Sequence, residues 1–265
     1  MTTRIVIHAG FHKTGTTSVQ SMLRKNAEAL SPHVRVFLKS AFSKLTTRAR
    51  AFSISPNEKT LMQVGTAASA FFNTLNIDDP RPVLMCSEDL SGHMPGRHGL
   101  ECYDSASLIM KSIADAARAR FDAPDLTFYF SVRERDRWMR STWWQNLRST
   151  RLTRDLDQYK DQFAEACSLG DILAEIAQDV APACVSSHRL EDCAGLSHGP
   201  LTPLLDLLDC GRLDRDALIV LPPENVQPDM GIDSVFLALN RSGLPDSDVR
   251  DAKRNIRKMA QRASR

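Results

Sequence analysis

The sequence contains no CxxC pair; its six cysteines, Cys86, Cys102, Cys167, Cys184, Cys193 and Cys210, are scattered along the chain. That spacing excludes a zinc-ribbon type of metal site and suits reduced thiols better than a disulfide framework. Net charge is equally scarce. The 34 Lys and Arg against 32 Asp and Glu leave a formal charge of +2, so bulk electrostatics calls for neither nucleic acid nor an anionic membrane as partner, and any anion site must be local. No segment approaches the ~20 apolar residues of a membrane span. The opening MTTRIVIHAG lacks the charged start, long apolar stretch and small-residue cleavage site of a signal peptide. The expectation is a soluble, cytoplasmic protein. Internal repeats and low-complexity linkers are absent too. At 265 residues and 42% hydrophobic, the chain suits a single α/β domain over 1–265, with a C-terminal helical extension over 229–265.

What is present is an alternation. Short β-rich apolar runs at 5–9, 34–38, 83–87, 126–132 and 183–187, with a further one at 218–221, are separated by longer helical patterns. Helices are expected over 16–30, 57–75, 105–120, 135–147, 157–177, 201–208 and from 246 onward. Such alternation predicts a central, mostly parallel sheet flanked by helices, a three-layer α/β fold. Loops are expected at 200–203 and in LPPENVQP, 221–228. The closing DAKRNIRKMAQRASR is basic; a solvated helix face accounts for it, and contact with an anionic ligand is the sharper alternative.

The first apolar run leads into HAGFHKTGTTS, 8–18. A strand, a glycine-rich turn and a helix start together offer backbone N–H groups and the positive end of a helix dipole to an anion. Gly10 and Gly15 allow close approach of a ligand, and Thr14, Thr16 and Thr17 add hydroxyls. The nucleotide-triphosphate loop G-x-x-x-x-G-K-[ST] places its lysine after the second glycine. Here Thr16 follows Gly15 and the lysine, Lys13, precedes it by two residues, which argues against a magnesium-dependent ATP or GTP enzyme.

The order K-[ST]-G-T-[ST] after a strand resembles the 5′-phosphosulfate loop of sulfotransferases that use 3′-phosphoadenosine 5′-phosphosulfate, and HKTGTTS is most similar to the bacterial and carbohydrate-type members. The resemblance implies a P-loop nucleotide-hydrolase-like fold and a loop that holds the donor's 5′-phosphate, with Lys13 on the oxygen bridging phosphorus and sulfur. A second motif agrees with it. The donor's 3′-phosphate calls for an arginine fork and a hydroxyl, and LTFYFSVRERDRWMRSTWWQ supplies Arg133 at the end of a strand and Ser141 eight residues later, the family's spacing. Where many members have a proline soon after the arginine, this chain has Glu134-Arg135-Asp136.

The resemblance thus implies a sulfotransferase with 3′-phosphoadenosine 5′-phosphosulfate as donor, adenosine 3′,5′-bisphosphate as product, no metal, and a small-molecule or glycan acceptor. A nucleotide-binding regulatory module without turnover and an atypical P-loop phosphotransferase are the alternatives. Glu88, in VLMCSEDLSG, follows a predicted central strand and is the candidate base; a simple helix start would equally account for it. His12 is a second catalytic candidate and could meet the sulfuryl group, with His93 and His98 in the glycine-rich segment 91–99 as further ones. That segment reads as a flexible loop able to close over an acceptor. His8, on the strand, reads as a satisfied interior histidine. Arg135, Arg137 and Arg140 read as solvated helix arginines. Trp143 and Trp144 point about 100° apart on a helix, so at most one faces a ligand.

Overall fold

A computed structural model describes residues 2–164, 167–222 and 231–263. Five strands, β1 Arg4–His8, β2 Arg35–Leu38, β3 Val83–Cys86, β4 Asp125–Val132 and β5 Cys184–Arg189, form one sheet in the order β2-β3-β1-β4-β5. Every pairing is parallel. The sheet is thus wholly parallel where a mostly parallel one was expected. β1 is central: Ile5 and Ile7 stand opposite Val83 and Met85 on one side and Leu126 and Phe128 on the other.

Successive side chains of a strand point to opposite faces, and β1 shows what that does to the core. Ile5 and Ile7 pack with Met85, Phe128 and Phe130 in one apolar cluster, while Val6 packs with Leu84 and Tyr129 in another. Helices α1 (Thr16–Lys25), α2 (Ala27–Leu30) and α9 (Thr202–Leu208) cover the second face. Helices α3 (Ser43–Ile54), α4 (Glu58–Phe72), α5 (Ala106–Arg120) and α8 (Leu169–Asp179) cover the first. Helix α6 (Arg135–Ser149), α7 (Leu156–Ala164) and the pair α10 (Ile232–Arg241) and α11 (Asp246–Ala263) extend that layer beyond the strands. Together these make the three-layer α/β fold.

Local chemistry explains where elements begin. Asn57 and Thr60 form a reciprocal capping box at the start of α4. The Glu134 carboxylate accepts from the Asp136 and Arg137 amides and so starts α6 without a proline. The helix expected over 16–30 is broken at Asn26, whose side chain bonds the Met22 carbonyl and also grips Ile219 through both its N–H and its C=O. That grip replaces the strand expected at 218–221, which does not form. The helix expected over 157–177 is two helices, because the Ser168 hydroxyl caps a fresh start at α8. The loop expected at 200–203 is a short 3-10 turn running into α9; most of the one expected at 221–228 lies outside the described residues. Helices α3 and α10 were not foreseen individually, though α10 and α11 fall in the expected extension.

The cysteine reading needs correction. Cys102 and Cys167 form a disulfide, with Cα atoms 4.8 Å apart, while Cys86, Cys184, Cys193 and Cys210 are free thiols. The two half-cystines are 65 residues apart in sequence and meet only because α5 brings the segment after β3 beside the α7–α8 junction. Among the described residues no helix is long and apolar enough to cross a membrane.

Candidate functional site

The carboxyl ends of β1, β3, β4 and β5 open on one cavity of about 950 Å³. In a parallel sheet this edge, where connections from the central strand diverge, is where ligand crevices form. The β1–α1 loop contributes His12, Lys13 and Gly15, and α1 contributes Thr16, Thr17 and Ser18; the segment after β3 contributes Glu88, Met94 and Arg97. Arg133 comes from the end of β4, and Leu190 and Glu191 from the end of β5. A stripe of α6, Arg137, Arg140, Ser141, Trp144, Gln145 and Arg148, closes the side.

The turn depends on left-handed backbone. Lys13 has φ 70° and Gly15 φ 103°, and a Cβ on Gly15 would stand 2.7 Å from Leu190 Cδ1. Gly15 is the residue before α1 and offers no side-chain cap, and the first turn of that helix, Thr16, Thr17 and Ser18, lines the cavity. Thr16 is 3% exposed, and its Oγ1 has no hydrogen-bond partner among the described residues. An orphaned buried hydroxyl costs about 1–3 kcal/mol unless a ligand completes it.

Two of the expected loop ligands are placed differently. Thr14 is fully buried, and its hydroxyl donates to the Phe11 carbonyl at 2.6 Å and contacts Ser131 Oγ at 3.0 Å. It braces the turn from behind. Gly10 likewise stands off the cavity lining, its carbonyl accepting from Ser91 Oγ at 2.8 Å. The remaining expected residues, Lys13, Gly15, Thr16, Thr17, Glu88, His12, Arg133 and Ser141, all line the cavity.

His12 is oriented on both sides. Its amide donates to Tyr103 Oη at 3.0 Å, which leaves the phenol proton for Nδ1 at 3.1 Å, and Nε2 meets Asp89 Oδ1 at 3.4 Å. Both ring nitrogens are therefore engaged. Burial alone would raise the Asp89 carboxyl, but hydrogen bonds from His12 and Lys39 hold it well below the usual carboxylate range. Glu88 begins a 3-10 turn capped by Ser87 and also lines the cavity; its Oε2 accepts from Gln20 at 3.2 Å. Glu88 thus starts a helical turn and stands at the cavity wall at once.

The Lys13 ammonium has no carboxylate within salt-bridge distance among the described residues. Burial, and then repulsion from Arg148 and Arg133, lower it to about 8, with Glu88 opposing. Arg133 spans two weak contacts, NH1 to the Lys13 carbonyl at 3.4 Å and Nε 3.4 Å from Glu191 Oε1; no hydrogen bond satisfies its Nε. Ser141 Oγ has no partner among the described residues.

Arg135, Arg137 and Arg140 are exposed, in keeping with the solvated reading, and Arg137 and Arg140 also line the cavity mouth. Arg97 and Arg148 were missed. The signal for Arg148 was available, since positions 137, 141, 144 and 148 recur at helical spacing on one face. Trp144 lines the cavity and stacks on Phe236 with centroids 5.4 Å apart, while Trp143 is turned away and donates to the Arg154 carbonyl, so one tryptophan faces the site as expected. His93 and His98 face each other, with centroids 4.6 Å apart, outside the lining. His8 is fully buried between Cys86 Sγ and Ser131 Oγ, each 3.2 Å away.

Six cations against two carboxylates line this cavity, so fold and site together define an α/β protein with a cationic crevice at the sheet's carboxyl edge. No protein-family model, curated protein or solved structure matches the chain.

Proposed function

We propose that the chain is a sulfotransferase, moving a sulfuryl group from 3′-phosphoadenosine 5′-phosphosulfate to a hydroxyl or amine of a small-molecule or glycan acceptor. One observation carries the reading: Lys13, the first turn of α1, Glu88 and the Arg133–Ser141 pair all line one cavity. Each answers a different demand of that donor. The α1 amides and the partnerless Thr16 hydroxyl fit its 5′-phosphate. The unsatisfied Arg133 Nε and Ser141 fit its 3′-phosphate.

The reaction replaces the bond from sulfur to the phosphate oxygen with one from sulfur to the acceptor oxygen. Lys13 offsets charge that grows on the departing phosphate oxygen, a contact worth most at the transition state. Glu88 accepts the acceptor's proton. His12 is assigned a supporting role, because Tyr103 and Asp89 occupy its ring nitrogens. With Lys13 and Glu88 both at the cavity wall, nothing favours a module without turnover, and the lysine's place before Gly15 weighs against phosphoryl transfer. The cytoplasmic expectation is not carried into the proposal, since a disulfide between Cys102 and Cys167 is rare in that compartment.

The test is calorimetric titration, without magnesium, with adenosine 3′,5′-bisphosphate and then with ADP and ATP. Micromolar binding of the bisphosphate, with much weaker binding of the other two, is the expected result. Failure of the bisphosphate to bind, or tighter magnesium-dependent binding of ATP, would overturn the proposal.

A further inference from the structure

The donor reading leaves Arg97 and Arg148 of the cavity wall without a role. Arg97 enters from the segment after β3 and Arg148 from the last turn of α6, with Met94 and Trp144 as apolar walls between them. Both guanidinium groups are half-buried and are held by neutral partners. Arg97 donates to Asn146 Oδ1 at 3.1 Å and Ser149 Oγ at 2.8 Å, and Arg148 to Gln145 Oε1. Unlike Arg133, neither has a carboxylate partner among the described residues. The charges also oppose one another: burial depresses both, and Arg257 from α11, together with Arg97, repels Arg148.

Holding like charges together away from water is unfavourable unless an anion completes them. The 3′-phosphate is assigned to Arg133 and Ser141, and Arg148 lies seven residues beyond Ser141 on the same face of α6, about 10.5 Å along the axis at ~1.5 Å per residue. Arg97 instead enters from the same segment after β3 that brings Glu88, the proposed base, to the cavity wall, and its partners Asn146 and Ser149 flank Arg148 on α6, which sets the pair on the acceptor's side. Resting on the sulfotransferase reading, we infer that Arg97 and Arg148 bind an anionic group, a carboxylate, sulfate or phosphate, carried by the acceptor beside the hydroxyl to be sulfated.

The experiment begins with protein saturated with adenosine 3′,5′-bisphosphate, which is then titrated calorimetrically with glucose 6-phosphate, glucose 6-sulfate and glucuronate, with glucose as the neutral control. At least one anionic probe should bind once per chain, about tenfold or more tighter than glucose; which one binds tightest identifies the anion. Arg97→Gln and Arg148→Gln should each weaken that probe by about tenfold or more, with bisphosphate affinity held within about threefold. Arg148→Lys should retain more affinity than Arg148→Gln, and it supplies the comparison if the glutamine variant does not fold. Anionic probes that bind no better than glucose, or that ignore all three substitutions, would overturn the inference alone. If the bisphosphate itself does not bind, the donor reading falls and takes this inference with it.

Discussion

Replacing Arg133 with alanine isolates the 3′-phosphate contact. The arginine's present partners are both at 3.4 Å, one a backbone carbonyl and one a carboxylate, and its Nε is unsatisfied; binding a phosphate therefore sacrifices little. A charge-assisted hydrogen bond to a phosphate contributes about 1.5–3 kcal/mol, or about ten- to 150-fold in affinity. The substitution also leaves Glu191 facing the dianion without its cation, so the loss should fall toward the upper end. Calorimetric titration with adenosine 3′,5′-bisphosphate and with adenosine 5′-monophosphate supplies the readout. Wild type should prefer the bisphosphate, and Arg133→Ala should erase that preference while leaving the monophosphate within about twofold. The companion change Glu191→Gln still accepts the Glu134 amide but removes a negative charge, and should tighten the bisphosphate by about 0.5–1 kcal/mol. Equal weakening of both nucleotides by Arg133→Ala would refute the assignment.

Lys13→Ala should leave bisphosphate affinity nearly unchanged and lower donor turnover by about 10²–10³-fold; unchanged turnover would remove the lysine from the mechanism. Because burial lowers Lys13 to about 8, the cationic form is lost as pH rises through that value, so kcat/KM should fall on the alkaline side near pH 8. Lys13→Arg should move that fall upward, and a profile flat to pH 10 would contradict the assignment. Gly15→Ala puts a Cβ 2.7 Å from Leu190 at φ 103°; the left-handed backbone costs about 1–2 kcal/mol, and thermal melting should drop by a few degrees, whereas an unchanged Tm would mean the turn is not left-handed. Replacing Cys102 and Cys167 together by serine opens a cross-link spanning 65 residues, worth about 4 kcal/mol by chain entropy, and a Tm indifferent both to this change and to reductant would rule the disulfide out.

The parallel sheet was legible because each strand is a short apolar run framed by helical patterns, and β1, buried on both faces at Ile5, Val6 and Ile7, has no polar alternation to confuse it. The placement of Lys13, Glu88 and Arg133 at one cavity was legible because each follows a strand, and strand ends of a parallel sheet share one edge; Ser141 joins them from α6, eight residues past Arg133. Side-chain rivals of the backbone were harder to read. Asn26 looks like any helical asparagine until Ile219, 193 residues away, is found in its grip. Thr14 and Thr16 are neighbours of the same type, yet one hydroxyl braces the turn and the other is left open, a difference set by Ser131 on β4. Cys102 and Cys167 carry no local pattern at all; only the placement of α5 and α8 brings them together.

Helix α6 is anchored at both ends. Glu134 caps its first turn, and Lys253 of α11, 4% exposed, donates to the Leu147 and Thr150 carbonyls at its last. A helix fixed in this way cannot slide or rotate, so the interval between Ser141 and Arg148 is a built-in ruler, set by the rise of the backbone and not by any loop. On the proposed reading, substrates are sorted by length as well as charge: the acceptor's anion lies along α6 from the donor's 3′-phosphate, within the reach that the Arg148 side chain adds to that interval. Adding a single residue between the two marks would rotate Arg148 by about 100° out of the cavity, and the catalytic groups would remain intact with nothing left to measure their substrate.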